Sequence, residues 1–129
     1  MEEDSKHCTV TRDGKPMEIS NSHLVVGDII KIRYGQQIPA DCLVIKANSL
    51  LALEAAITGE GDDIRKDVMR PITQQEVLEN YGRNYRFDPF LYEGSFCTSG
   101  DGEALVLAVG DNTLFSGSTM PALSVSGQN

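Results

Sequence analysis

Short apolar runs separated by turn residues are the feature of this sequence that most constrains its fold. Asp13-Gly14 stands between two such runs and is a strong hairpin signal, because both residues tolerate a positive φ. Cys42-Leu43-Val44-Ile45 is a nearly continuous apolar run, which is typical of a strand covered on both faces. No run approaches the ~20 apolar residues of a membrane-spanning helix. The pattern predicts a mainly β chain of about six to eight short strands.

Glycine-containing and polar turns divide these predicted strands. Turns are predicted at Gly27-Asp28, Asn48-Ser49 and Ser99-Gly100-Asp101-Gly102. Thr73, followed three residues later by Glu76, forms a capping box, which predicts a short helix that Gly82 would end. With one or two short helices and no alternation of strands with helices, the chain favours a β sandwich or jelly roll.

The length of 129 residues is that of one domain with a core of its own. Residues 1–8 are predicted to be a disordered N-terminal tail, and the folded part is predicted at 9–116. Residues 68–87, which include the predicted helix, read as a surface insertion. The Ser- and Gly-rich residues 117–129 are predicted to be a flexible C-terminal tail.

The net charge of −8 and the pI near 4.6 restrict the partners of the chain. Neither nucleic acid nor an anionic membrane surface supplies a counter-charge for so acidic a chain, so direct binding to either is disfavoured. The N-terminal Met1-Glu2-Glu3-Asp4 is acidic where a signal peptide is basic. The fragment is therefore expected to be soluble.

The cysteines and histidines indicate neither a disulfide nor a metal site. Cys8, Cys42 and Cys97 are odd in number, widely spaced and without a Cys-x-x-Cys pair, so we expect buried free thiols in a reducing compartment. His7 and His23 are too few to complete a metal site with them. We expect no metal ion and no cofactor in this fragment.

The candidate functional site is the polar turn Thr58-Gly59-Glu60, which follows a short apolar run ending at Ile57. Gly59 lets the backbone approach another molecule without a Cβ in the way. Thr58 supplies a hydroxyl, and Glu60 supplies a carboxylate that can hold or deprotonate a water. The alternative is an ordinary surface turn, because all three residue types are common there. The charged run 62–67 that follows is typical of a solvated face.

Three blocks in this order and spacing resemble the actuator domain of P-type cation-transporting ATPases. The blocks are Val25-Val26-Gly27-Asp28-Ile29, Gly35 with Ile38-Pro39-Ala40-Asp41, and Ile57-Thr58-Gly59-Glu60. Within that superfamily the chain is most similar to plasma-membrane-type calcium-transporting ATPases. The residues that carry this second likeness are Val10-Thr11-Arg12-Asp13-Gly14, Glu60-Gly61-Asp62-Asp63-Ile64-Arg65-Lys66, Asp88-Pro89-Phe90-Leu91 and Leu107-Ala108-Val109-Gly110-Asp111-Asn112.

The resemblance implies a distorted jelly roll, or double-stranded β-helix-like fold, and a role in dephosphorylation. Glu60 would position the water that hydrolyses an aspartyl phosphate in a separate domain, while Thr58 and Gly59 shape the approach. The full-length enzyme would use ATP and Mg²⁺ and transport Ca²⁺. Its phosphorylation and nucleotide-binding domains and its transmembrane helices, all of the same chain, would be the partners. The domain would lie on the cytoplasmic face of a plasma membrane or an internal calcium store.

The sequence departs from the family pattern around the turn. Leu53-Glu54-Ala55 stands where the family commonly has Asp-Glu-Ser, and Gly61 stands where it has Ser; Gln36 and Cys42 replace a common Asp and Gly. Because the tripeptide itself is kept, we expect an active pump, although the isolated fragment would turn nothing over. Two alternatives stay open, namely a pump for another cation and a non-catalytic β interaction module that docks through Asp62, Asp63 and the region of Glu76.

Overall fold

The computed structural model describes residues 6–54, 61, 63–68, 73–81 and 89–115. Seven strands are formed there: β1 (His7–Arg12), β2 (Lys15–Ser20), β3 (Ile29–Ile32), β4 (Asp41–Leu53), β5 (Asp63–Arg65), β6 (Phe90–Leu91) and β7 (Phe96–Ala108). Helix α1 covers Gln74–Asn80, and short 3-10 helices cover Asn21–His23 and Gly110–Asn112. The prediction of a mainly β chain with one or two short helices is confirmed.

The strands form a single antiparallel sheet in the order β2-β1-β3-β7-β4-β5, and β6 also pairs with β4. Its centre is the long ladder between β4 and β7, which runs from the pair Asp41↔Ala108 to the pair Leu53↔Phe96. The strand β5 has β4 as its neighbour and lies at the edge of the sheet. The end of β4 and the start of β5 therefore hold the segment that carries the candidate tripeptide.

The hairpin predicted at Asp13-Gly14 joins β1 and β2, and its register pairs Arg12 with Lys15. Asp13 has a φ of 53° and Gly14 a φ of 76°. Two consecutive residues with positive φ match the right-handed twist of the flanking strands, which is why Asp-Gly favours this turn. The prediction is confirmed.

The turns predicted at Asn48-Ser49 and at residues 99–102 are wrong, because both stretches lie inside long strands. β4 continues through Ser49, which has a φ of 53°, and the register of the β4–β7 ladder shifts between Asn48 and Leu51. An added Cβ at Gly100 would overlap the Ser49 carbonyl oxygen, and one at Gly102 would overlap that of Lys46. The absence of a Cβ at these glycines lets the β7 backbone lie close to the bulged part of β4. Glycine here therefore indicates an irregular strand pair and not a chain reversal.

Apolar residues lie on both faces of the sheet and form two clusters. The larger cluster contains fifteen buried residues, among them Val10, Ile30, Ile32, Leu50 and Val106. The smaller cluster consists of Leu43, Phe90, Tyr92 and Phe115, with Val77 and Tyr81 packed against it. Because alternate residues of a strand point to opposite faces, neighbouring Leu43 and Val44 of β4 belong to different clusters. This explains the nearly continuous apolar run of β4.

The capping box predicted for α1 is present. The Thr73 hydroxyl accepts a hydrogen bond from the Glu76 amide at 3.1 Å, and the Thr73 amide donates to Glu76 Oε1 at 3.1 Å. Tyr81 follows the helix and donates its amide to the Val77 carbonyl at 2.9 Å. Gly82, which was predicted to end the helix, lies outside the described residues.

The division into residues 1–8, 9–116 and 117–129 stays a prediction, as does the insertion at 68–87. Within the described ranges, β1 begins at His7, and the folded chain continues to Phe115. None of the helices in these described ranges has the length and hydrophobicity of a bilayer-spanning segment.

Candidate functional site

The predicted catalytic residues Thr58, Gly59 and Glu60 lie outside the described residues. The structure describes what precedes and follows them: β4 ends at Leu53, Glu54 comes directly after it, and the chain is described again at Gly61 and at 63–68. The structure therefore defines the candidate site through the residues on either side of the tripeptide.

β4 and β5 hold those ends by antiparallel pairing. Leu53 pairs with Asp63, Ala52 with Ile64 and Leu51 with Arg65. One step further, the Lys66 amide donates a hydrogen bond of 2.9 Å to the Leu50 carbonyl. The backbone on both sides of the tripeptide is thus held by the last part of β4.

Glu54 and Lys66 form a buried ion pair beside this ladder. Lys66 Nζ lies 2.9 Å from Glu54 Oε2, and both side chains are 0% exposed. Charged side chains are almost never buried to this extent unless they are paired. The expectation that 62–67 is a solvated face is wrong for Lys66, although Asp63 and Arg65 are exposed. Asp62 lies outside the described residues.

A signal for this pair was present in the alternation of the two strands. Ile64 and Lys66 are two residues apart, as are Ala52 and Glu54, and side chains at that spacing share a face of a strand. All four side chains are buried. A charged residue in phase with buried apolar neighbours on each of two successive strands is the pattern that sequence reasoning missed.

Tyr92 contacts the ion pair from another part of the chain. Lys66 Nζ lies 5.8 Å from the centre of the Tyr92 ring, a distance at which the ring's electrons attract the ammonium group. Tyr92 is stacked on Tyr81 with 6.3 Å between ring centroids and meets Phe115 edge-on at 5.6 Å. The smaller apolar cluster therefore supports the base of the candidate site.

Asp41, the last residue of the second motif block, connects three parts of the fold. Its carboxylate accepts hydrogen bonds from the Glu93 amide at 2.9 Å, from the Leu114 amide at 2.8 Å and from the Tyr81 hydroxyl. Burial raises the pKa of Asp41 and outweighs these three bonds, each of which favours the charged form. Asp41 joins the start of β4 to α1 and to the end of the described chain.

Asp28, in the first motif block, fixes the turn that precedes β3. It accepts hydrogen bonds from Arg12 Nε at 2.9 Å, from Arg12 Nη2 at 2.8 Å and from the Val25 amide at 3.0 Å. The two bonds from Arg12 hold the pKa of Asp28 below its usual value. The described residues of both blocks thus stabilise the scaffold that holds the candidate turn.

The three cysteines have the character of core residues. Cys8, Cys42 and Cys97 are buried and free, as predicted. Burial raises the pKa of Cys8 to about 11 and raises the pKa of Cys42 and of Cys97. Because the thiolate is the reactive form, these thiols are poor nucleophiles. In the portion of the chain that the structure describes, no group of three His, Cys, Asp or Glu side chains could hold a metal ion.

The fold and the motif blocks define the class of protein to which the chain belongs. Residues 2–120 match the family model of the P-type ATPase actuator domain, and the chain is a member of that family. The fold is that of an experimental structure, a zinc-transporting PIB-type ATPase in the E2P state, with a TM-score of 0.61. That match covers 85% of this chain and 15% of the other at 18% identity, so it concerns the fold alone.

Similar sequences come from calcium pumps. The chain is 38% identical over 120 residues to "Calcium-transporting ATPase 2" of Schizosaccharomyces pombe, covering 92% of this chain and 9% of the relative. It is 34% identical over 111 residues to "Plasma membrane calcium-transporting ATPase 3" of Homo sapiens, and this match covers 86% of this chain and 8% of the relative. The resemblance to actuator domains, and to those of calcium-transporting ATPases in particular, is confirmed. The chain spans about a tenth or less of the length of these relatives.

Proposed function

We propose that this chain is the actuator domain of a calcium-transporting P-type ATPase and that Glu60 positions the water that hydrolyses an aspartyl phosphate. Thr58 and Gly59 shape the approach of the turn to the phosphate. The observation that supports this proposal is the family match over residues 2–120, which includes the tripeptide. The buried attachment of Glu54 and Lys66 on either side of it agrees with a turn that has to be presented accurately.

The chemistry suits a carboxylate on a well-anchored turn. Phosphoryl transfer needs little covalent help from the protein but depends on an attacking oxygen held in line with the bond that breaks. Positioning of this kind contributes about 7–11 kcal/mol to the lowering of a barrier when the reacting groups are well oriented. Gly59 lets the backbone come close to the phosphate because it has no Cβ.

The rest of the machinery is assigned to the full-length protein. We propose phosphorylation and nucleotide-binding domains of the same chain as the partners, and ATP and Mg²⁺ as the cofactors used there. Transmembrane helices of the same chain would carry the ion and place this domain on the cytoplasmic face of the membrane. Movement of the domain as a rigid body would couple hydrolysis to those helices.

The test of the catalytic role is Glu60→Gln in the full-length pump. We expect phosphorylation from ATP to be kept and decay of the phosphoenzyme to slow about 100-fold or more, in the range for loss of a positioned acid–base group. The measurement is the decay of radiolabelled phosphoenzyme after a chase with unlabelled ATP. Equal decay in the variant and the parent would remove Glu60 from the mechanism and favour the non-catalytic interaction module.

Calcium is proposed as the transported ion because the relatives described above are calcium-transporting ATPases. The ion ligands would lie in transmembrane helices, so this domain does not select the ion. The test is the cation that is required for phosphoenzyme formation by the full-length pump. A requirement for another cation would replace calcium and leave the role of Glu60 untouched.

A further inference from the structure

We propose that Glu54 and Lys66 are positioning residues for dephosphorylation and that their buried ion pair sets the register in which β5 returns to β4. The inference rests on the proposed function, because it concerns the placement of Glu60. It adds two residues that lie outside the tripeptide and that the structure describes directly.

The first step is that β5 supplies few contacts of its own to fix its register, since Ile64 is its one buried residue. It is three residues long, lies at the edge of the sheet and pairs with β4 through Leu51, Ala52 and Leu53. A slip of one residue in an antiparallel pair turns every side chain to the opposite face. Such a slip would move Lys66 towards solvent and leave the Glu54 carboxylate buried without its counter-charge. The ion pair therefore makes the observed register far more favourable than its neighbours.

The second step is that the pair is held from three directions. Glu54 extends from β4, Lys66 follows β5, and the Tyr92 ring lies 5.8 Å from Lys66 Nζ. Ala52, which is fully buried on the same face of the ladder, has a side chain small enough to leave room for the two longer ones. A buried charge that is confined in this way fixes one geometry of the two strand ends.

The third step is that stability alone is a poor reason for such a pair. Replacing a buried ion pair by well-packed hydrophobic side chains of similar volume is often neutral or stabilising, because desolvation of the two charges is avoided. Placement of a reacting group is far more sensitive, since an error of about 1 Å can cost about 100-fold in rate. The ion pair lies next to the segment that carries Glu60, so it can influence the placement of the Glu60 carboxylate and hence the rate of dephosphorylation.

The experiment uses the full-length pump with Lys66→Met, with the double variant Glu54→Leu/Lys66→Met, and with Glu60→Gln. Lys66→Met keeps most of the unbranched side chain and removes the ammonium group. Lys31→Met is the matched control, because it removes an ammonium group from the half-buried ion pair that Lys31 forms with Glu103 at 3.4 Å, away from the candidate site. The readouts are phosphoenzyme formation from ATP, phosphoenzyme decay, and the thermal unfolding midpoint of the same domain in the 129-residue chain.

We expect the double variant to unfold at the parent's midpoint, to form phosphoenzyme normally, and to dephosphorylate about 10- to 100-fold more slowly. Lys66→Met alone would also slow decay, with a lower midpoint because Glu54 loses its counter-charge. Lys31→Met would match the parent in every readout. The double variant keeps the test valid even where the single variant does not fold.

The outcomes separate the two proposals. If Glu60→Gln slows decay and the double variant decays like the parent, the ion pair serves stability alone and the positioning role is wrong. If Glu60→Gln itself decays like the parent, the proposed function fails, and the positioning inference fails with it. Slow decay in both variants, with normal phosphorylation, supports both.

Discussion

Asp28 and Asp41 are both buried aspartates, and their surroundings move their pKa values in opposite directions. The guanidinium of Arg12 holds the pKa of Asp28 below its ordinary value, because it stabilises the charged carboxylate. Asp41 receives hydrogen bonds from an uncharged hydroxyl and two amides, and burial raises its pKa in spite of them. A full positive charge thus decides the direction for Asp28, whereas desolvation decides it for Asp41.

We predict that Asp28→Asn lowers the stability of the chain at neutral pH and that this loss shrinks in acid. A carboxylate whose folded pKa lies below 3.8 contributes stability above that pH. The contribution is lost as the pH falls from 3.8 through the folded pKa, because over that range the unfolded state takes up a proton more readily than the folded state. The measurement is urea unfolding of the parent and the variant between about pH 7 and about pH 2.5.

The control for Asp28→Asn is Glu103→Gln, which breaks the pair with Lys31, a pair whose carboxylate is more exposed than that of Asp28. Exposed ion pairs contribute about 0–1 kcal/mol, so this variant stays close to the parent at neutral pH. A gap between Asp28→Asn and the parent that stays constant down to about pH 2.5 would contradict the assignment.

At the scale of elements, the β4–β7 ladder determines where the candidate site lies. Both strands have thirteen residues, and register shifts let them stay paired over that length. Gly102 lies where an added Cβ would overlap the Lys46 carbonyl oxygen, whereas an added Cβ at Gly14 would meet nothing. The two glycines are needed for different reasons, close approach in one case and positive φ in the other.

We predict that Gly102→Ala destabilises the chain by about 2–3 kcal/mol, because an added methyl group forces two backbones apart. Gly14→Ala is the matched control and costs about 1 kcal/mol, from strain at a positive φ. Hydrogen exchange separates them further, since Gly102→Ala speeds exchange of the β4 amides near Lys46 and Gly14→Ala does not. Equal exchange of those amides in both variants would show that the close approach of β4 and β7 is unimportant.

The same ladder shows what the sequence could and could not predict. Asp13-Gly14 was recognised because its turn depends on two adjacent residues. Ser99-Gly100-Asp101-Gly102 has a similar composition, but its structure depends on the β4 backbone opposite, which no local pattern reveals. The alternation around Glu54 and around Lys66 is visible in the sequence, but their pairing is not, because it depends on how β5 lies against β4.

At the scale of the whole molecule, contacts run from the base of the candidate site to the far end of the described chain. Lys66 lies against Tyr92, Tyr92 is stacked on Tyr81, and the Tyr81 hydroxyl donates to Asp41. The Leu114 amide donates to the same carboxylate, and Phe115 packs edge-on against Tyr92. The smaller apolar cluster therefore joins the start of β4, the end of α1, Lys66 after β5 and the last described residues.

We predict that Phe115→Ala lowers the free energy of unfolding by about 3–5 kcal/mol without splitting the transition. Phe115 is 5% exposed and meets Tyr92 with ring centroids 5.6 Å apart, so its removal leaves a cavity within the smaller cluster. Leu43 and Val44 are neighbours on one strand but belong to different clusters. Because the two clusters share this strand, we expect the sheet to unfold together with the aromatic cluster. The tyrosine near-ultraviolet circular dichroism signal and the far-ultraviolet signal of the sheet should fall with the same, lowered midpoint.

Leu78→Ala, at an α1 position that is 70% exposed, is the control and changes stability by no more than about 0.5 kcal/mol. Loss of the tyrosine signal at a lower temperature than the sheet signal would show that the two clusters unfold separately.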